Sequence, residues 1–113
     1  MVSKALIAAS TKPMILSILQ SGENYGYQII QKAKAVSGGR LEWSDGMLYP
    51  VLHRLEKEGF VRAEWRISEE GRRRKYYSLT EQGRTELANE MQQWMSVHDA
   101  LSKIWQPSRV MSA

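Results

Sequence analysis

The sequence predicts a mostly α-helical fold that carries one β-hairpin and a long C-terminal helix. Three observations lead there. Apolar residues recur at helical spacing in three successive stretches before residue 60, each followed by glycine. Residues 60–79 shift toward strand-like composition around a turn that contains Gly71. From residue 81 a helical stripe returns and runs to about Trp105, where Pro107 ends it.

The first helix is read over residues 5–20, with Leu6, Ile7, Met14, Ile15, Ile18 and Leu19 as its apolar side chains. Pro13 is expected to kink it or to mark a fresh start, because proline lacks an amide hydrogen and crowds the preceding turn. Gly22 ends the element. Asn24 is a candidate cap for the next helix, whose apolar positions are Tyr25, Ile29, Ala33 and Val36. Ser37, Gly38 and Gly39 stop it, and Leu41 and Trp43 follow in an extended segment. Ser44 or Asp45 caps the third helix, with Met47, Leu48, Val51, Leu52 and Leu55 on one face. Pro50 fits best in a first turn, which would start the regular helix near Gly46 or Met47.

The segment FVRAEWRI reads as a strand with Phe60, Trp65 and Ile67 as its larger apolar residues, and RRKYYSL as the returning strand. Tyr76 and Tyr77 then project to opposite faces, one toward the core. Such a hairpin is marginal alone and must pack on the helices. Thr80 is the candidate cap of the last helix. Three helices followed by a hairpin is the organisation of a winged helix-turn-helix. The expected division is 1–80 for that module, 81–106 for a C-terminal dimerisation helix and 107–113 for a flexible tail.

The totals bound what such a chain can do. It has 113 residues, is 42% hydrophobic and 25% charged, and carries a formal net charge of +4. That is one small domain of ordinary soluble composition. The mild basicity permits a polyanionic partner without demanding one, so the placement of charge decides. There is no cysteine, which excludes disulfides and thiolate metal sites and suits a reducing cytoplasm. No apolar run approaches the roughly 18–20 residues that span a bilayer. The start, MVSKALIAAS, mimics a signal peptide but lacks a convincing cleavage site and reads as the beginning of a helix.

The third helix is the candidate DNA reader, since an α-helix fits the major groove while flanking phosphates want cations or backbone donors. Ser44 and Tyr49 can bond phosphate or base edges, and His53 and Arg54 add donors a turn or more later. Tyr49 can equally be a half-buried packing residue. Asp45 can accept from a cytosine amino group or serve as a structural cap. Arg72, Arg73, Arg74 and Lys75 form a run of cations beginning beside the turn, as a wing tip on a phosphate ridge or in a minor groove requires. Glu69 and Glu70 adjoin the run and partly offset it. Lys12 and Lys34 stay outside the candidate set.

On the last helix Leu87, Met91, Trp94, His98, Leu101 and Trp105 fall at steps of 4, 3, 4, 3 and 4. This heptad-like stripe extends beyond a minimal module, and a partner helix from a second copy is the economical way to cover it. Two copies would set the reading helices about 34–36 Å apart and select an inverted repeat. Trp94 either packs in that interface or walls a cavity for a flat hydrophobic ligand. His98 is read as an interfacial histidine on the same stripe. With His53 and His98 as the two histidines and no cysteine, no histidine-rich metal site assembles within one chain.

Three motifs carry a resemblance to a known family: NYGYQII (Asn24 to Ile30), GMLYPVLHRLEKEGFV (Gly46 to Val61) and GRRRKYYSLTEQGR (Gly71 to Arg84). Together they resemble the PadR family of bacterial transcriptional regulators, in its short subtype with one C-terminal helix. That resemblance implies a dimeric repressor on a palindromic operator, with Ser44, Tyr49, Arg73 and Lys75 toward DNA. The last helix is similar to that of multidrug-sensing members, in which a tryptophan lines a pore at the dimer centre. Trp94 matches that tryptophan, and Val97 and Asp99 fit the local pattern, so Trp94, Val97, His98 and Asp99 form the candidate ligand set. Asp45 and Met47 depart from the small or hydroxyl residues common there.

The expected function is a sequence-specific DNA-binding transcriptional regulator: a cytoplasmic homodimeric repressor on an inverted-repeat operator, with release by a flat hydrophobic ligand as its candidate control. No cofactor is implied. The rival reading is a winged-helix protein-interaction module without specific DNA binding, which predicts that Arg72 to Lys75 can be neutralised without loss. RNA binding would instead show as a preference for single strands or A-form helices. An enzyme is excluded by the lack of a nucleophile elbow, a phosphate-binding glycine loop or a metal cluster.

Overall fold

The computed structural model describes residues 2–106, so the tail expected at 107–113 lies outside the described residues. The elements run α1 (Lys4–Gln20), β1 (Asn24–Tyr25), α2 (Gly26–Val36), α3 (Asp45–Lys57), β2 (Val61–Ile67), β3 (Arg73–Leu79) and α4 (Glu81–Trp105). This is a mostly helical winged helix-turn-helix with a long C-terminal helix, as the sequence predicts.

Three details differ from expectation. First, α1 is one continuous helix through Pro13 and makes no fresh start there. It is capped by Ser3, whose hydroxyl accepts from the Leu6 amide at 3.2 Å. Burial of Ile15, Leu16 and Leu19 outweighs the one backbone bond that proline forfeits, at about 1.5–3 kcal/mol for each such side chain. Second, Pro50 lies in the second turn of α3, because Ser44 caps that helix and Asp45 begins it. The amide that Pro50 lacks would have paired with the Gly46 carbonyl, and the buried Leu48 and Leu52 on either side hold the helix regardless. Third, Asn24 does not cap α2. It is buried in a two-residue strand, pairs with Tyr77 and donates its side-chain amide to the Gly22 carbonyl at 3.2 Å. Tyr25 occupies the cap position of α2.

The hairpin is therefore part of a three-stranded antiparallel sheet in the order β1-β3-β2. Its register, Val61↔Leu79 through Ile67↔Arg73, divides the side chains between two faces. Val61, Ala63, Trp65 and Ile67 share a face with Leu79, Tyr77, Lys75 and Arg73. Phe60 precedes the strand, and Trp65 and Ile67 are exposed, so the apolar end of β2 is at Val61. Tyr77 is buried and Tyr76 half-buried, which meets the expected split of the pair.

One core joins Ile15, Leu16 and Leu19 of α1, Ile29 and Ala33 of α2, and Leu48, Leu52 and Leu55 of α3. Leu41 and Trp43 seal it from the α2–α3 connection, and Val61, Tyr77, Leu79 and Leu87 from the sheet and α4. Thr80 starts α4 by accepting from the Gly83 amide at 2.9 Å while donating to the Gly59 carbonyl at 2.6 Å. Lys12 on α1 pairs with Glu86 and, at 3.6 Å, with Glu90. Burial opposes its charge, but the Glu86 hydrogen bond and the two carboxylates raise the Lys12 ammonium above the ordinary lysine value. These contacts fix the direction in which α4 leaves the module.

Candidate nucleic-acid interface

The packing of α3 sorts its side chains. Leu48, Leu52 and Leu55 point into the core, which leaves Ser44, Asp45, Gly46, Tyr49, Pro50, His53, Arg54 and Lys57 on the exposed side. Ser44 spends its hydroxyl on the cap, accepting from the Met47 amide at 3.2 Å. Arg54 lies 3.9 Å from Glu58 one turn on, an exposed pair worth about 0.3–0.5 kcal/mol and easily exchanged for a phosphate. Asp45 sits in the first turn, where a carboxylate complements the positive end of the helix.

Tyr49 leans from α3 onto the start of α2. A Cβ at Gly26 would overlap the Tyr49 hydroxyl, so glycine is what lets the phenol lie there. Burial, and then the Asp45 carboxylate, raise the Tyr49 phenol above its ordinary value. Burial pushes the neighbouring Tyr77 up to about 12, with Tyr49 and Glu56 adding to the shift. Both phenols are thus neutral hydroxyls at physiological pH. Tyr49 keeps 36% of its surface exposed, so it packs and still presents a donor.

The wing faces this helix across a cleft of about 790 Å³ whose walls include Gly26, Tyr27, Tyr49, His53, Trp65 and the run Arg72 to Lys75. The turn is closed by Ser68, whose amide donates to the Arg72 carbonyl at 2.7 Å and whose hydroxyl accepts from the Arg72 amide at 3.1 Å. Gly71 has φ of 82°, a left-handed conformation that favours glycine. All four cations border the cleft, but β3 alternates, so Arg73 and Lys75 share one strand face and Arg74 takes the other. Arg73 lies over the Trp65 ring at 4.6 Å. Lys75 is 5.9 Å from the same ring and 3.6 Å from Glu56 of α3. Arg74 lies on the other face, 4.1 Å over Tyr25 and 3.6 Å from Glu70. Among the described residues, neither Arg72 nor Arg73 forms an ion pair with a carboxylate. Lys34 is taken up by Glu42 at 3.7 Å, as Lys12 is by α4.

The structure therefore brings Tyr49, His53 and Arg72 to Lys75 to one cleft, with Ser44 and Arg54 on the adjoining exposed side of α3. Sequence reasoning missed Gly26, Tyr27 and Trp65 as members of that cleft. Trp65 was within reach: centring the hairpin on its turn sets it opposite Lys75.

The residues placed on the last helix separate differently. Leu87 is buried against its own module, whereas Met91, His98, Leu101 and Trp105 are exposed. Trp94 is half-buried and lines an open apolar groove of about 740 Å³ with Pro13, Met14 and Ile18 of α1, Val36 of α2, and Met91 and Met95. Val97, His98 and Asp99 lie farther out, beyond that groove. His98 is 3.7 Å from Asp99, and both side chains are about two-thirds exposed. Among the described residues, no group of three or more metal-ligating side chains comes together, and no helix is long and apolar enough to cross a membrane.

Known proteins share this fold. Residues 15–89 match the transcriptional regulator PadR-like family. The chain is 31% identical over 90 residues to the negative transcriptional regulator PadR of Bacillus subtilis, covering 80% of this chain and 47% of that protein. It thus spans about half the length of that relative. A transcriptional regulator from Clostridium thermocellum superposes with a TM-score of 0.82 at 26% identity, covering 91% of this chain and 97% of the other. A PadR-like transcriptional regulator from Bacillus cereus superposes with a TM-score of 0.80 at 28% identity, covering 91% and 98%.

Proposed function

This chain belongs to the transcriptional regulator PadR-like family, and from that premise we propose that it is a repressor that binds an inverted-repeat operator as a homodimer. The family consists of transcriptional regulators, not enzymes, and its winged helix binds DNA. The finer reading rests on one observation: the exposed side of α3 and the cationic wing border a single cleft. In this reading α3 enters the major groove, with Tyr49, His53 and Arg54 toward bases and phosphates and Ser44 fixing the helix start. The wing lies on the flanking backbone through Arg72, Arg73 and Lys75. Two modules joined through the stripe on α4 occupy successive grooves of a promoter and block it. The protein works where the chromosome is, in the cytoplasm.

Neutralising the wing separates this from a protein-interaction role. Replacing Arg72 to Lys75 by glutamine is expected to cut duplex affinity strongly and to flatten its salt dependence by about 0.9 in log–log slope per lost phosphate contact. Retained affinity and an unchanged slope would favour the interaction module.

Control by a flat hydrophobic ligand at the dimer interface is supported by the apolar groove beside Trp94. A second copy would bring Val97, His98 and Asp99 of one chain toward Trp94 of the other. A ligand there changes DNA affinity through the angle between the two modules. Trp94→Ala is expected to weaken binding of a planar aromatic dye, followed by dye fluorescence, and full retained affinity would remove Trp94 from the pocket.

A further inference from the structure

The cations of the wing divide by strand face, and the division follows which aromatic ring each one meets. We propose that Trp65 is a positioning residue for DNA recognition, holding Arg73 on the α3 side of the wing, while Arg74 serves as a structural tie and exchanges no counterion with DNA. This rests on the reading of the chain as a DNA binder and assigns roles within that site.

Several observations carry it. Trp65 pairs with Lys75 in the strand register and shares a face with Arg73, whose guanidinium lies 4.6 Å over its ring. Trp65 is 54% exposed, so its place is not explained by core packing. A guanidinium held over a ring by cation–π attraction spends no N–H donor on a carboxylate or carbonyl, so its donors stay open to a phosphate. The ring thus fixes the direction of a long side chain without consuming its hydrogen bonds. The same face continues to Lys75, held 3.6 Å from Glu56 of α3, and to the buried Tyr77. It therefore looks across the cleft at Tyr49 and His53. Arg73 takes no carboxylate among the described residues, so its charge is available.

Arg74 also lies over a ring and borders the cleft, but it differs in strand face and in having a carboxylate partner. It lies on the opposite face, 4.1 Å over Tyr25 and 3.6 Å from Glu70. Tyr25 in turn meets Tyr76 edge to face with ring centroids 5.6 Å apart, and Tyr76 carries Arg66, which pairs with Glu23. This chain of contacts fastens the wing to the segment before α2 and holds Arg74 between a ring and a carboxylate.

The test uses the full chain and a duplex that the wild type selects from a random pool, with affinity measured across a salt series. Arg73→Gln should lower the log–log salt slope by about 0.9 per half-site, and Arg74→Gln should leave it unchanged while lowering Tm. Trp65→Leu should weaken binding by about three- to tenfold per half-site, the cost of ordering a freed side chain, at unchanged Tm. Trp65→Phe should recover part of that loss. The double variant Trp65→Leu with Arg73→Gln should bind no worse than Arg73→Gln, because the indole then has nothing to position. Additive losses, or a slope that falls with Arg74→Gln, would overturn the assignment while leaving DNA binding intact. A wild type that selects no duplex would overturn both.

Discussion

At the scale of single residues, the contact between Tyr49 and Gly26 determines how the reading helix presents itself. The phenol of α3 lies where a Cβ of α2 would be. One missing side chain on a neighbouring helix thus sets the direction of a candidate DNA donor. Gly26→Ala is expected to push the Tyr49 hydroxyl aside and weaken duplex binding by about 0.5–1.5 kcal/mol, the net worth of one hydrogen bond. Tm should shift little, because the clash is with the end of a side chain that can rotate. Binding by anisotropy with a parallel melting curve checks this, and equal affinity would mean that Tyr49 is packing and nothing more. Sequence reasoning left both roles of Tyr49 open. Composition and period sort α3 into two sides, but they cannot show that Tyr49 touches a residue 23 positions earlier. The same limit applies to Arg72 through Lys75. The run reads as one patch in sequence, and the alternation of β3 divides it.

At the scale of elements, the junction between α3, β2 and α4 holds the module to its long helix. Gly59 turns the chain with φ of 84°, and Thr80 reaches back to its carbonyl. Gly83 lies so close that a Cβ would overlap the Phe60 carbonyl. Gly→Ala within a helix ordinarily stabilises by up to about 1 kcal/mol. Gly83→Ala is expected to reverse that sign and destabilise by about 1–3 kcal/mol, since backbone rather than a flexible side chain must move. Thermal melting checks it, and a raised Tm would contradict the close approach. The helices and the hairpin were legible because their apolar periods are long enough to count. Thr80 and the end of α4 at Trp105 were legible for a local reason, a capping hydroxyl and a following proline. β1 was not legible: two residues carry no period, and Asn24 is a strand residue only because Tyr77 pairs with it. Pro13 and Pro50 misled for the converse reason. Local propensity placed breaks or starts there, and burial of Ile15, Leu16, Leu48 and Leu52 outweighs it.

At the scale of the whole molecule, one chain measures 61 × 29 × 23 Å, because α4 continues past the module it caps. Beyond Leu87, Met91 and Met95 border the groove on α1 and α2, while Leu101, Ile104 and Trp105 are exposed and line no part of it. That is the physical case for a second copy, and in the proposed function the dimer is the unit that reads DNA. Leu101→Asp is expected to shift the chain toward monomer in sedimentation with helix content largely retained. Duplex affinity should fall steeply, because two half-sites are no longer tethered. An unchanged dimer would move the interface elsewhere. The stripe on α4 was legible from its spacing, whereas the groove beside Trp94 needed α1 and α2 folded against it. Whether two winged modules read DNA together is decided by selection from a random duplex pool at stated salt. Paired modules should enrich an inverted repeat whose half-sites lie about one helical turn apart, near 34–36 Å. Enrichment of a lone half-site would contradict the paired arrangement, and failure to enrich any duplex would contradict DNA reading altogether.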